Sequence, residues 1–353
     1  MTPKKAKNFR QMNSTQKLYF FGQWITKSKF LSVIALKFAL AFALEGSALV
    51  AQPLPAATPR RVTAAPIATH SKPMGNVLFI GNSFLFGYGS DVLFYRAQTV
   101  TDLNGSGYGG VPALFKSFST QAGLDFAVNL ETVPGKGLDF HFAEKSHIID
   151  RAWDRVVMVS YSTLDHEKPG DPALLIRSAK QIAELLHARN PRVDIRLIAT
   201  WSRADQVYPK TGHWHGQPIA QMAKDIRVAY DSAAAGTPFI HGVIPVGEAW
   251  NRAFHTGVAD PNPYNGIAFG QVDLWTHDHY HASIYGYYLE ALMIFGDVTG
   301  LDPRSLGRTE RAGFELGISP AQATALQQVA YDELMAMKGR APLEIFTPLV
   351  LKK

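Results

Sequence analysis

Short apolar runs alternate along most of this chain with longer stretches in which apolar residues recur every three or four positions. The clearest run is Val77-Leu78-Phe79-Ile80, which ends at Gly81. Such a run is typical of a strand that is buried on both faces of a parallel sheet. The pattern predicts strands over 77–80, 126–133, 156–159, 195–200 and 239–246. It predicts helices over 111–122, 138–149, 171–188, 219–234, 283–295 and 320–337.

The alternation of strands and helices determines the expected fold class. It predicts an α/β domain with a mostly parallel, doubly wound sheet. The expected architecture is a flavodoxin-like three-layer α/β/α sandwich. In open sheets of this kind, ligands bind just beyond the carboxyl ends of the strands. The segments that directly follow the predicted strands are therefore the first places to search for chemistry.

The N-terminal segment has a different pattern from the rest of the chain. A polar and basic stretch ends at Lys29, and the apolar segment 30–44 follows, interrupted by Lys37. That segment is short for a membrane span, and Gly46-Ser47-Ala48 then offers a cleavage site between small residues. This order predicts a secretory signal peptide over 1–48, with an uncleaved anchor as the alternative. We expect a secreted or periplasmic protein with no stable membrane span after processing.

The remaining chain divides into three predicted parts. Residues 49–73 are rich in Pro, Ala and Thr, which predicts a disordered linker. Residues 74–300 hold the alternating elements and form the predicted catalytic domain. Residues 301–353 form a predicted helical extension that packs on this domain.

Charge and cysteine content exclude several classes of function. The 353 residues carry a net charge of +6, but residues 1–70 hold ten Lys or Arg and one Glu. The rest has 25 basic and 28 acidic residues, so the basic balance does not indicate a nucleic-acid partner. The chain has no Cys, which excludes disulfides and thiolate metal sites.

A glycine-rich segment formally matches a nucleotide-binding motif. Gly105-Ser106-Gly107-Tyr108-Gly109-Gly110 fits G-x-G-x-x-G. The dinucleotide-binding motif requires a buried strand directly before it, and residues 101–104 make a poor one. The sequence therefore favours a loop near the mouth of the site over a nucleotide site, and we predict no cofactor.

Candidate catalytic chemistry lies after the first strand and near the end of the predicted domain. Ser83 follows the first strand by two residues, and Asp278 precedes His281 by three. A serine hydroxyl becomes a good nucleophile when a neutral histidine takes its proton. A carboxylate that holds the imidazole improves this base. Backbone N–H groups of Ser83 and Gly135 are candidate donors to the oxyanion of a tetrahedral intermediate.

At these residues the chain resembles the SGNH/GDSL hydrolase family over roughly residues 75–297. The resemblance rests on Gly81-Asn82-Ser83 in place of the family's G-D-S motif and on Asp278-His279-Tyr280-His281 in place of its D-x-x-H motif. It implies that Ser83 is the nucleophile, His281 the base and Asp278 its orienting carboxylate. It also implies that Gly135, or alternatively Gly137, contributes an oxyanion donor.

One family motif is absent from the sequence. The family carries G-x-N-D after its third strand, and its Asn side chain is an oxyanion donor. The equivalent stretch, 159–165, contains no Asn. Losing one such donor costs about two to three orders of magnitude in rate, so an active enzyme needs a substitute. We expect the Ser162 hydroxyl to replace the amide.

Several alternatives remain beside the expected serine esterase. Trp201, His213 and Trp214 follow the fourth predicted strand, and we expect them to bind substrate.

A metal site is an alternative reading of the last motif. His277, His279 and His281 alternate, as metal ligands on one strand face would. No carboxylate cluster accompanies them, so we predict no metal.

The expected reaction is the hydrolysis of a carboxylic ester through an acyl-enzyme. The expected substrate is a small-molecule or carbohydrate ester, with deacetylation of carbohydrate preferred. A lipase-like or thioesterase-like acyl hydrolase and a catalytically silent carbohydrate-binding protein of the same fold are the alternatives. The sequence leaves the oligomeric state open.

Overall fold

A computed structural model describes residues 72–338 of the chain. The predicted signal peptide, most of the predicted linker and residues 339–353 of the predicted extension lie outside the described residues. Lys72 and Pro73, which we assigned to the linker, form the beginning of the first strand.

One parallel sheet holds the strands of the described region together. Its spatial order is β2-β3-β1-β4-β5-β6, and neighbouring strands in it pair in parallel. The strands are β1 (Lys72–Gly81), β2 (Thr101–Asp102), β3 (Leu124–Thr132), β4 (Arg155–Met158), β5 (Asp194–Ala199) and β6 (Ile240–Pro245). Without the two-residue edge strand β2, the order corresponds to 2-1-3-4-5, the flavodoxin-like arrangement. The structure thus confirms the predicted α/β fold class.

Helices cover both faces of this sheet. They are α1 (Ser83–Phe86), α2 (Gly110–Gln121), α3 (Leu138–Ile149), α4 (Ala173–Arg189), α5 (Ala204–Val207), α6 (Ile219–Ala235), α7 (Val246–His255), α8 (Ile284–Thr299), α9 (Arg311–Glu315) and α10 (Pro320–Lys338). Every helix and strand predicted from the pattern occurs, with some differences at the ends. The sequence analysis missed β2, α7 and the short helices α1, α5 and α9.

The central strand has no solvent-exposed face at its apolar run. Val77 and Phe79 pack into the apolar core on one side of the sheet, where α2, α7, α8 and α10 contribute side chains. Leu78 and Ile80 pack into the core on the other side, with α3, α4 and α6. All four side chains are completely buried, which is why the run is continuously apolar rather than alternating.

The strand order places the expected ligand site at the end of β1. After β1 the chain forms β2 and β3 on one side of it, and the connection that leaves β3 crosses to β4 on the other side. Crevices for ligands form where such connections diverge. No helix within residues 72–338 is long and apolar enough to cross a membrane.

Glu290 is a buried acid on α8 that the apolar core does not accommodate well. It is 0% exposed, and neither carboxyl oxygen has a hydrogen-bond partner within the described region. Burial raises the pKa of Glu290 well above its ordinary value. An acid with a raised folded-state pKa stabilises the fold fully below its unfolded pKa, near pH 4.3. That contribution is lost as the pH rises toward the folded-state pKa.

We therefore expect Glu290→Gln to raise the melting temperature relative to the wild type, by a larger amount at pH 8 than at pH 5. A gain of about 2–6 °C at pH 8 corresponds to roughly 1–2 kcal/mol in a domain of this size. Thermal unfolding at both pH values measures it. Glu184→Gln is the control, because Glu184 is half exposed on α4. Equal melting temperatures for wild type and Glu290→Gln at pH 8 would contradict the prediction.

Candidate active site

Ser83 lies immediately beyond the carboxyl end of β1. The strand ends at Gly81, where an added Cβ would collide with the Val159 side chain. Asn82 follows as the N-cap of α1, and its side-chain oxygen accepts a hydrogen bond from the Phe84 N–H at 3.2 Å. Ser83 is the first residue of α1, so the turn presents its hydroxyl at the sheet edge.

The Asn82 side chain also ties Ser83 to the two neighbouring loops. Its Nδ2 donates to the Lys136 carbonyl at 2.9 Å and to the Ser160 carbonyl at 3.1 Å. Lys136 belongs to the turn after β3, and Ser160 follows β4. A residue at this position that can donate two hydrogen bonds and accept one thus fixes three loops around Ser83.

His281 and Asp278 complete a hydrogen-bonded series with Ser83. The Ser83 Oγ lies 2.9 Å from the His281 Nε2, and the His281 Nδ1 lies 2.6 Å from the Asp278 Oδ2. Ser83 and His281 are 6% and 7% exposed, so a small opening leads to the serine. The structure brings together the three residues that the sequence analysis assigned to catalysis, although 198 positions separate the serine from the histidine.

The loop that carries the acid and the histidine is shaped by the acid itself. The Asp278 Oδ1 accepts the backbone N–H groups of Tyr280 at 3.0 Å and His281 at 2.9 Å. His279, which directly follows Asp278, adopts φ +55°, a left-handed conformation that is uncommon outside glycine. This tight turn turns the His281 ring back toward the Asp278 carboxylate.

The electrostatics of Asp278 suit a permanent anion. Partial burial favours the neutral acid, but the hydrogen bond from the His281 ring and those from the His281 and Tyr280 N–H groups outweigh it. They hold the pKa of Asp278 well below its ordinary value. An ionised Asp278 accepts a hydrogen bond from the His281 Nδ1–H group, which leaves Nε2 unprotonated and able to accept the Ser83 proton. The arrangement therefore favours the tautomer that a general base requires.

Aromatic rings surround the His281 imidazole. The ring centroids of Tyr280, Tyr88 and Phe84 lie 3.9, 4.6 and 5.7 Å from that of His281. Tyr88 is 48% exposed, and sequence reasoning did not single it out. The sequence feature that could have indicated Tyr88 as a site residue is its position five residues after the serine, in a loop with two glycines.

An open cavity begins next to Tyr88. It has a volume of about 470 Å³ and is lined by Gly89, Ser90, Asp91, Leu93, Thr276, Ser283 and Ile284. The Thr276 hydroxyl donates to the Gly89 carbonyl at 2.9 Å, which joins the loop after Ser83 to the loop of His281. A substrate group that contacts Tyr88 can therefore extend into a cavity with polar and apolar walls.

The two candidate glycine donors have different surroundings. Gly135 is exposed at the turn after β3, has φ +68°, and has no atom within 4 Å of an added Cβ. Gly137 is buried and is the N-cap of α3, and an added Cβ there would collide with the Tyr161 ring. Because Asn82 holds the Lys136 carbonyl between them, both glycines lie in the turn next to the serine loop.

Ser162 lies on the loop after β4 and is 4% exposed. Its hydroxyl oxygen accepts a hydrogen bond from the Arg203 Nη1 at 3.3 Å. Because β1 and β4 pair with Ile80 opposite Met158, the segments that carry Ser83 and Ser162 leave the sheet side by side. The sequence analysis did not identify Arg203.

The tryptophans predicted to bind substrate are core residues, which corrects that prediction. Trp201 is completely buried, stacks on Phe84 and Trp250 at 4.3 and 4.6 Å, and donates from Nε1 to the Tyr280 carbonyl at 3.1 Å. Trp214 is 4% exposed and donates to Asp225 at 2.8 Å. Neither ring offers a face to a ligand. Both tryptophans lie on the loop after β5, but their side chains pack inward.

Within residues 72–338, the histidines outside the serine site belong to no group of side chains that could hold a metal ion. His213 is exposed, and its ring lies 4.6 Å from that of Trp214. Its contact with a substrate stays a prediction. His281, a ligand in the alternative metal hypothesis, faces Ser83. Between residues 72 and 338, no three His, Asp or Glu side chains are grouped so that they could hold a metal ion.

Solved structures with the same architecture exist, although no family model and no curated protein matches the chain. A DUF4886 family protein from Bacteroides uniformis aligns over 77% of this chain and 98% of its own, at 18% identity and a TM-score of 0.56. A protein from Parabacteroides merdae described as a GDSL-like lipase covers 65% and 97%, at 16% identity and a TM-score of 0.45. A family two carbohydrate esterase from Clostridium thermocellum covers 65% of each chain, at 16% identity and 0.36.

The DUF4886 family protein shares the fold of this chain. That fold has one parallel six-stranded sheet between two layers of helices. The predicted α/β fold with a parallel, doubly wound sheet is thus confirmed.

Proposed function

We propose that this protein is a serine hydrolase that cleaves carboxylic esters through an acyl-enzyme intermediate. The observation that carries the proposal is the Ser83–His281–Asp278 series, with distances of 2.9 and 2.6 Å. An ionised acid, an oriented histidine and a slightly exposed serine form the set of groups required for nucleophilic acyl transfer.

The geometry supports a defined sequence of proton transfers. The Ser83 Oγ attacks the ester carbonyl while His281 Nε2 takes its proton, and Asp278 stabilises the resulting imidazolium. The intermediate collapses when His281 returns this proton to the leaving alkoxide, which releases the alcohol and leaves Ser83 acylated. His281 then takes a proton from water, hydroxide adds to the acyl carbon, and Ser83 leaves with the proton of the imidazolium. The N–H groups of Ser83 and of the turn at Gly135 are the proposed oxyanion donors.

The proposed substrate class is acylated carbohydrate. Tyr88 offers a half-exposed ring beside the histidine, and rings of this kind stack on the apolar faces of sugars. The adjoining cavity is open and carries polar residues such as Ser90 and Asp91, which suits a hydroxylated alcohol better than a long acyl chain. The N-terminal pattern supports the further proposal that the protein is exported from the cytoplasm to a compartment in which such substrates occur.

Turnover of model esters tests the proposed reaction. The purified protein should hydrolyse p-nitrophenyl acetate and release acetate from an acetylated oligosaccharide, with less activity on a decanoate ester. Activity that prefers the decanoate would favour the lipase-like alternative. Sugar binding without any turnover would favour the carbohydrate-binding alternative, and turnover that a chelator abolishes and Zn²⁺ restores would favour a metallohydrolase.

Replacement of Tyr88 tests the proposed substrate class. We expect Tyr88→Ala to raise KM for the acetylated oligosaccharide by about 3–10-fold, because aromatic contacts contribute roughly 0.5–1.5 kcal/mol. The kcat should stay within about threefold, and hydrolysis of ethyl acetate should hardly change. Phe314→Ala is the control, because Phe314 is an aromatic residue on α9 that is 81% exposed. An unchanged KM in Tyr88→Ala would contradict a sugar contact at this ring.

A further inference from the structure

Arg203 connects two parts of the candidate active site. Its Nε and Nη2 bond the two carboxylate oxygens of Asp205 at 3.0 and 2.5 Å. Its Nη1 donates to the Ser162 Oγ at 3.3 Å. The side chain is only 13% exposed, so one planar guanidinium holds a carboxylate and a hydroxyl at the sheet edge.

The guanidinium is also fixed by an aromatic ring. The Arg203 Cζ lies 3.4 Å from the Tyr280 ring centroid, and the Tyr280 ring contacts the His281 imidazole at 3.9 Å. The Asp205 N–H donates to the His279 carbonyl at 3.2 Å, so backbone contacts reinforce the stack. Because Asp205 neutralises Arg203, this cation opposes formation of the His281 imidazolium less than a free guanidinium would.

The hydrogen bond from Arg203 determines what the Ser162 hydroxyl can do. Arginine only donates hydrogen bonds, so the Ser162 oxygen must act as the acceptor in this pair. The Ser162 O–H must therefore point elsewhere, and no side-chain or backbone acceptor within residues 72–338 receives it. A buried hydroxyl whose proton is free and whose oxygen bonds a cation is a strengthened donor.

We propose that Arg203 is a positioning residue that directs the Ser162 hydroxyl toward the oxyanion of a bound ester. This inference rests on the proposed function and specifies how the missing Asn of the oxyanion hole is replaced. As Ser83 attacks, negative charge develops on the carbonyl oxygen, and the Ser162 O–H donates a hydrogen bond to it without transferring its proton. Arg203 itself touches neither the substrate nor the reacting atoms.

A double-mutant cycle on p-nitrophenyl acetate hydrolysis tests the proposal. We expect Ser162→Ala to lower kcat by about 100-fold and Arg203→Met to lower it by about 10-fold or more, with KM changed less than threefold in both. In the double variant the loss should equal that of Ser162→Ala alone, because Arg203 acts through this hydroxyl. Arg227→Met is the matched control, since Arg227 also forms half-buried ion pairs, with Asp231 and Glu248.

Multiplication of the two losses in the double variant would overturn the proposal, because Arg203 would then act through Tyr280 and His281 instead. An unchanged kcat in Ser162→Ala would overturn it as well. If Arg203→Met does not fold, the same cycle with Arg203→Lys answers the question, because lysine keeps the charge but cannot bond Asp205 and Ser162 in a fork. Wild-type turnover that depends on Ser83, together with multiplying losses, rejects only this inference; absence of wild-type turnover rejects the proposed function.

Discussion

Replacing Ser83 with alanine is expected to lower kcat for ester hydrolysis by about five to six orders of magnitude. The hydroxyl oxygen forms the acyl-enzyme bond in the proposed reaction, and it lies 2.9 Å from His281 Nε2. The remaining activity would come from binding and oxyanion stabilisation alone. Steady-state hydrolysis of p-nitrophenyl acetate by the purified variant measures the loss.

Ser119→Ala is the control for Ser83→Ala. Ser119 is also a buried serine, on α2, and its hydroxyl has no partner within the described residues. It should fold and hydrolyse esters like the wild type. A folded Ser83→Ala variant that keeps more than about one percent of the wild-type kcat would contradict the role of Ser83.

The second large effect is expected for Asp278→Asn, with a loss of about four orders of magnitude in kcat. The Asp278 carboxylate accepts hydrogen bonds from the His281 ring at 2.6 Å and from two backbone N–H groups. An Asn oxygen can keep the backbone bonds, but its NH₂ group then faces His281 Nδ1. The ring would adopt the tautomer with its proton on Nε2, which cannot accept the Ser83 proton.

The pH dependence follows from the sign of the shift at Asp278. Its pKa is held well below the ordinary value near 3.9, so Asp278 remains ionised throughout the range above about pH 4. The acid limb of log kcat/KM for the wild type should therefore have a slope no steeper than one per pH unit above about pH 4, because Asp278 adds no titration step there. A slope of two would show that Asp278 titrates together with the base and would contradict its ionised state.

The residues near β1 show how much of the site the sequence could predict. Four apolar residues followed by Gly81-Asn82-Ser83 identified a buried strand and the position of the serine. The spacing of Asp278 and His281 predicted an acid that orients the imidazole, and the structure adds that the same carboxylate accepts a hydrogen bond from the His281 backbone N–H. Local sequence patterns therefore predicted the serine and the Asp278–His281 pair separately. The family resemblance predicted that the two lie in one site.

Features created by packing could not be predicted in this way. The stack of Arg203, Tyr280 and His281 joins the loop after β5 to the loop before α8, and no periodicity relates them. Trp201 follows a strand like a site residue, but it packs between Phe84 and Trp250 beneath the site. The edge strand β2 has only two residues, and α7 begins directly where β6 ends. The strand is too short to leave a pattern, and no turn separates the helix from the apolar run of β6.

Labelling with a fluorophosphonate tests the central claim most directly, because this reagent reacts with serines whose hydroxyl is activated. The purified protein is treated with the probe, digested and analysed by peptide mass, beside the His281→Ala variant. We expect a label on Ser83 in the wild type and no label on Ser83 in His281→Ala. A folded wild-type protein without a label on Ser83, or a label on Ser83 that persists without His281, would contradict the proposed activation.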